Sequence, residues 1–243
     1  ILFFFFFWSL ARGDVFKKIF YIKILTKLKI LPVYRTSEGV ENLETNYTTF
    51  DSCKAIFKYK GIVLMFSEGR CINEWHLRPL KKGTARLAIS TWQDGIDLKV
   101  LPVGINYSSF RKFGKNIFLN FGTIISKEEV LLKGTDGKRN LFFNDLLKKE
   151  LEKLVFEIPE NNTALKETLL VVKQKNRQKL LLAIPAFIGF LLNAPLYLPV
   201  KLFVRTKTIN NDHYDSVLLA LLIFLYLFYL IISSILLFIF SQW

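Results

Sequence analysis

The run from Val217 to Phe240 constrains this chain more than any other feature. It holds 24 consecutive residues without a charge, and apart from Tyr226 and Tyr229 its only polar members are Ser233 and Ser234. As a helix it would be about 36 Å long, enough to cross a hydrocarbon core of about 30 Å with some tilt. A soluble helix that is apolar on every side at this length is rare. The sequence therefore predicts a transmembrane helix at about 217–240. The preceding apolar stretch, Leu180–Pro199, is interrupted by Pro185, Asn193, Pro195 and Pro199. It reads as re-entrant, interfacial or a kinked span.

Charge is placed to match. Of the 34 Lys and Arg and 20 Asp and Glu, 31 and 18 precede Leu180, and the whole chain carries a net +14. Cationic flanks favour the cytoplasmic side, so the expected location is the membrane, with the basic bulk on its cytoplasmic face. A chain that is 51% hydrophobic with 24 Phe does not have the polar profile of a nucleic-acid binder. Basic and apolar together suit an anionic membrane face or anionic lipid substrates. Cys53 and Cys71 are too few for a disulfide scaffold and read as free thiols. With only His76 and His213 besides, no metal site is expected. The opening Ile1–Trp8 is apolar, lacks a cationic leader and is too short to span a bilayer. It reads as an internal segment of a longer protein.

Between these ends, helices and strands alternate. Lys17–Leu31 mixes lysines with apolar residues at helical spacing. Ile19, Ile22, Ile24 and Leu28 could face a core, while Lys17, Lys18, Lys23, Lys27 and Lys29 face water or lipid headgroups. A strand at Ile30–Val33 precedes a helix from about Glu41 to Lys58, with Leu43, Tyr47, Phe50, Cys53 and Phe57 on one stripe. A strand then leads to Phe66. A helix is expected over Gly83–Trp92, with Ala85, Leu87, Ala88 and Trp92 packing, followed by strands at Val100–Tyr107 and Ile117–Ile125. Ser126-Lys127-Glu128-Glu129 has the form of a capping box, and an amphipathic helix is expected over Asn140–Ile158. Alternation of this kind indicates an α/β fold, a mixed sheet flanked by helices. The Pro159–Asn162 break divides the expected domains, 1–158 and a hydrophobic membrane extension at 159–243.

The apolar run Gly61–Met65 stops at the polar turn Phe66-Ser67-Glu68-Gly69-Arg70. Loops at the C-terminal ends of strands are where open α/β folds place ligand groups. Arg78-Pro79-Leu80-Lys81-Lys82-Gly83 follows and opens a helix, which makes an anion site.

Four segments in order, Leu31–Arg35, Phe66–Arg70, Lys81–Gly83 and Leu101–Val103, resemble the motifs of the PlsC-type phospholipid/glycerol acyltransferases, over roughly residues 9–125. Phe66, Glu68 and Gly69 match that family's Phe-Pro-Glu-Gly motif. Ser67 replaces its proline, and Arg70 and Cys71 stand where threonine and arginine are usual. The resemblance implies the glycerol-phosphate acyltransferase fold with a C-terminal transmembrane extension. It implies transfer of a fatty acyl group from acyl-CoA or acyl carrier protein, as co-substrate, to a hydroxyl of glycerol phosphate or lysophosphatidate in phospholipid biosynthesis. No bound cofactor, metal or nucleic-acid partner is implied.

The family's catalytic pair is a histidine and an aspartate with four residues between them. Neither His76 nor His213 has an aspartate at that spacing. The pair is expected upstream of Ile1, with this fragment inactive by itself. The family histidine acts as general base, and the acceptor's phosphate must be clamped so that its hydroxyl meets the thioester. The resemblance assigns that clamp to Arg35, with Arg70 or Arg78 as further candidates, since the guanidinium fork matches phosphate oxygens. A surface salt bridge is the plain alternative for Arg35. Glu68 enters the catalytic set as a carboxylate that holds an arginine or the acceptor's hydroxyls. Ser67 and Gly69 shape the binding turn, and Lys81 and Lys82 meet donor phosphates, the membrane or only water. His76 has no carboxylate at a recognisable spacing and reads as a loop or core histidine. Two other classes compete: a catalytically inactive, membrane-bound lipid-binding homologue, and a basic membrane-anchored nucleic-acid binder.

Overall fold

The computed structural model describes residues 7–34, 43–70, 72–111, 114–172, 176–208 and 212–242. The α/β class and the C-terminal apolar helices are both present. The chain forms two compact units. The first takes in residues 1–70, 77–104 and 120–155, and the second residues 71–76, 105–119 and 156–243.

The first unit is organised by a parallel sheet of three strands, β1 (Phe7–Arg12), β2 (Ile30–Val33) and β3 (Ile62–Leu64), in the order β2-β1-β3. Arg12 lies level with Val33 in one pairing, and Ser9 with Leu64 in the other. β1 runs through a 3-10 turn, Gly13–Phe16, into α1 (Ile19–Lys27), which leads back to β2. The crossover from β2 to β3 carries α2 (Leu43–Lys58).

The main core of this unit lies under α3 (Gly83–Gln93) and α5 (Asp136–Leu154). Ala85, Ala88, Ile89 and Trp92 pack with Phe143, Leu147, Ile125 and with Val130 of α4 (Lys127–Leu131). Leu87 is buried as well. Trp92 meets Phe143 edge to face at 5.9 Å and donates its indole N–H to the Leu98 carbonyl at 2.7 Å. This arrangement suits an aromatic ring with one polar edge. β4 (Val103–Tyr107) and β5 (Ile117–Phe121) form a separate two-stranded ladder, continued by an antiparallel bridge between Val100 and Ile125.

Several local expectations are corrected. No residue of α1 is buried, so Ile19, Ile22, Ile24 and Leu28 do not face a core. Periodicity says which residues share a face, not whether anything covers it. In α2, Tyr47 is 71% exposed, while Thr49 and Cys53 are buried. Ser126 is the N-cap of α4 but makes no capping bond from its side chain; its hydroxyl meets Glu128 and holds that carboxylate's pKa down. α5 starts and ends four residues earlier than its polarity pattern suggested.

In the second unit, α6 (Thr163–Leu170) is capped by the Asn162 side chain, which accepts from the Leu165 N–H at 3.0 Å. α7 (Asn176–Lys207) runs through Pro185, Pro195 and Pro199 as one 32-residue helix. α8 (Tyr214–Ser241) packs against its C-terminal half through Val200, Val204, Tyr214 and Leu218. Both helices are long and apolar enough to cross a membrane. The start of α8 is pinned by polar contacts: Asp215 pairs with Lys115, and Asp212 accepts from the Asn73 N–H at 3.3 Å.

Candidate functional site

Because β1, β2 and β3 are parallel, their C-terminal ends reach the same rim of the sheet. There β1 delivers Arg12-Gly13-Asp14, β2 delivers Tyr34, and β3 delivers the turn that starts at Phe66. Ligand groups gather at such rims because the strands stop there and the following loops are free to vary.

The turn Phe66–Gly69 is closed by a backbone bond from the Gly69 N–H to the Phe66 carbonyl, 3.1 Å. Gly69 takes φ +67°, a left-handed conformation in which a side chain would be strained. A Cβ there would also stand 3.1 Å from Cγ of Lys81, whose stem lies over the turn. Three further bonds tie the turn to the cationic run that follows it. The Lys81 N–H donates to the Ser67 carbonyl at 2.7 Å. The Arg78 N–H donates to Glu68 Oε1 at 3.1 Å. Ser67 Oγ and Thr84 Oγ1 are 2.8 Å apart, a hydroxyl pair joining the turn to the first turn of α3.

Two sequence segments read separately are thus one structural feature. Ser67, Glu68 and Gly69 are joined to Arg78, Lys81 and the start of α3. Arg70, Lys81 and Lys82 are exposed, and Arg78 is half-buried. The first N–H groups of α3 have no carbonyl a turn before them and add to the positive potential. Four basic residues carried by the joined turn and run favour an anionic ligand.

The exit of β2 is fixed on both sides. Asn46 of α2 accepts from the Tyr34 N–H at 2.8 Å and donates to the Tyr34 carbonyl at 2.9 Å. Thr49 donates its hydroxyl to the Pro32 carbonyl at 2.8 Å. The Tyr34 ring covers Gly13, where an added Cβ would fall 2.2 Å from a ring carbon. These bonds explain why polar residues of α2 turn inward while Tyr47 turns out. Arg35 itself lies outside the described residues, as does Cys71. Cys53, on the inner face of α2, is a free and fully buried thiol whose pKa burial pushes up to about 12.

Sequence reasoning passed over Arg12, Asn46 and Thr49. Arg12, which pairs with Asp14, sits in a strand-end polar turn of the same kind as the one after β3. That signal was available at Ala11-Arg12-Gly13-Asp14. His76 does have a carboxylate partner: its Nδ1 lies 2.7 Å from Glu157 Oε2. The two are 81 positions apart, beyond any local pattern, and both are about half exposed. Among the described residues no group of His, Cys, Asp and Glu is arranged to hold a metal ion.

Comparison with known proteins bears on this same region. Residues 7–106 match the family described as Acyltransferase. Over 167 residues the chain is 26% identical to glycerol-3-phosphate O-acyltransferase 2 of Saccharomyces cerevisiae, covering 64% of this chain and 21% of that protein. The chain therefore spans about one fifth of the length of this curated relative. No solved structure matches. The matched residues run from the first residue of β1 into β4 and include the whole sheet rim, so the PlsC-type resemblance is borne out as a similarity to the Acyltransferase family over residues 7–106.

Proposed function

We propose that this chain carries the acceptor-phosphate site of a membrane-bound glycerolipid acyltransferase. The acceptor is glycerol phosphate or its monoacyl derivative, and the acyl donor is a thioester, acyl-CoA or acyl carrier protein. The observation that carries the reading is the joining of the Ser67–Arg70 turn to the Arg78–Lys82 run at the mouth of a parallel sheet. Two membrane-length helices in the same chain support lipid substrates, with the acyltransferase segment on the cytoplasmic face.

In this reaction the acceptor's hydroxyl oxygen bonds to the thioester carbonyl carbon, the C–S bond breaks, and the thiol leaves with a proton. The base belongs to the family's His–Asp pair. The chain's own residues handle charge and position. Arg35 and Arg78 grip the phosphate, and Arg70, Lys81 and Lys82 raise its local concentration. Ser67 and Gly69 set the shape of the turn. Glu68 holds the Arg78 backbone in place and stays off the phosphate, since an ionised carboxylate only accepts hydrogen bonds.

The test uses the protein with any residues encoded upstream of Ile1 included, in mixed micelles with a labelled acyl donor. Arg35→Ala and Arg78→Ala should each raise KM for lysophosphatidate, by about tenfold or more for a lost charge-assisted contact. The penalty should shrink with monoacylglycerol, which has no phosphate to hold. Equal penalties for the two acceptors would remove both arginines from the phosphate site. Lipid binding without turnover would assign the chain to the inactive homologues.

A further inference from the structure

α1 leaves its apolar residues uncovered. Phe20, Ile24 and Leu28 are 67%, 40% and 64% exposed, and at i, i+4 and i+8 they line one face, with Tyr21 beside them. Phe20 and Tyr21 stack edge to face at 5.8 Å in the open. Lys23 and Lys27 run along the shoulder of this face, and Lys17 and Lys18 precede it; all four are exposed. Lys23 and Lys27, with Ile22 and Thr26, also border a shallow open groove. No Asp or Glu occurs between Val15 and Ser37.

We propose that α1 is a membrane-surface helix, lying on an anionic lipid leaflet with Phe20, Tyr21, Ile24 and Leu28 in the headgroup–acyl boundary. Charge complementarity chooses the occupant. A polypeptide covering this face would need acidic groups to meet four lysines, whereas an anionic leaflet supplies negative charge at any register. Lysine stems can lie along the apolar face while the ammonium groups stay among phosphates. The inference rests on the membrane association of the proposed function but names a separate point of contact. It also has a use. α1 begins one 3-10 turn after the end of β1, so the docked helix would hold the rim of the sheet at the depth of lipid headgroups.

The experiment places single cysteines at Phe20→Cys in α1, Lys148→Cys in α5 and Leu227→Cys in α8, with Cys71→Ser throughout. Cys53 stays because it is buried. Each variant of the full chain is labelled with an environment-sensitive fluorophore. It is then reconstituted in phosphatidylcholine vesicles with or without phosphatidylglycerol. The Phe20 label should shift to the blue and be quenched by headgroup-region nitroxide lipid, more strongly when phosphatidylglycerol is present. Lys23→Glu with Lys27→Glu should abolish that lipid dependence. The Lys148 label should answer only to aqueous iodide. Quenching of the Phe20 label by iodide, to the extent seen at Lys148, would overturn the proposal in favour of a solvated face. Protection from both quenchers would overturn it in favour of a polypeptide cover. The Leu227 label reports separately on the membrane span, so failure of that reading is distinguished from failure of this one. Hydrogen exchange over 19–27 in the unsubstituted protein gives a second readout. Slowing on adding phosphatidylglycerol supports docking, and no change opposes it.

Discussion

Glu68 separates a positioning role from a chemical one. Its Oε1 accepts the Arg78 N–H at 3.1 Å in a half-buried setting and so links the turn after β3 to the cationic run. A hydrogen bond to a charged acceptor contributes about 1.5–3 kcal/mol when shielded, and partial solvent access brings this to about 1–2 kcal/mol. Glu68→Ala removes it and should lower kcat/KM for the phosphorylated acceptor by about 5- to 30-fold, mostly through KM. Glu68→Gln keeps an acceptor oxygen at the same position without the charge. It should lose roughly half of that free energy, a drop of only a few-fold. Initial rates at varied acceptor, with the donor saturating, measure both variants. If the carboxylate takes a proton in the reaction, Gln is as damaging as Ala and the loss falls on kcat, at about 10²-fold or more. A Gln variant as inactive as the Ala variant would therefore refute the positioning argument.

Three other outcomes follow from the geometry. Gly13→Ala should destabilise the first unit by roughly 1–3 kcal/mol through overpacking, because the new Cβ would sit 2.2 Å from the Tyr34 ring; Tyr34→Ala in the same chain should recover part of the loss in a denaturant titration. Asn46→Ala breaks both bonds to the Tyr34 backbone, 2.8 and 2.9 Å, and should cost about 1–3 kcal/mol; thermal melts compared with Asn46→Asp, which keeps an acceptor but places a carboxylate against the Tyr34 carbonyl, should show both variants destabilised. Cys53, with its thiol pKa raised from 9.0 to about 12, should resist alkylation in the folded protein at neutral pH and react once the chain is unfolded. Its preference for the neutral form stabilises the fold fully below pH 9, and that contribution is lost as pH rises from 9 towards 12; a Cys53→Ala chain should show less alkaline destabilisation.

Most strands, the packing face of α3 and the apolar C-terminal helix were legible because each is written locally. Apolar runs ending at Val33 and Leu64 mark β2 and β3, whereas β1 at Phe7–Arg12 was not read as a strand, and Ala85, Leu87, Ala88 and Trp92 recur at helical spacing. The turn at Ser67–Arg70 was legible too, through its glycine. What local pattern could not show is contact. Nothing in the spacing of Ser67 and Thr84, 17 residues apart, announces that their hydroxyls meet, nor that Glu157 partners His76. The inward turn of Asn46 and Thr49 was hidden for the opposite reason. They are polar and lay off the apolar stripe, but they face in because the carbonyls and N–H at the end of β2 need partners. The exposure of α1 ran against its pattern as well, since an apolar stripe looks the same whether protein or lipid covers it.

The anchoring at the head of α8 has a topological consequence. Asp212 and Asp215 bind Asn73 and Lys115, hydrophilic parts of the same unit, so Tyr214 begins the helix on the watery side that holds those residues. Twenty-eight residues later, about 42 Å along the axis, α8 ends at Ser241. With α8 threaded through a lipid bilayer, Gln242 emerges in the opposite compartment. An epitope tag after Trp243 would then be reached only by antibody applied to the face away from Lys115.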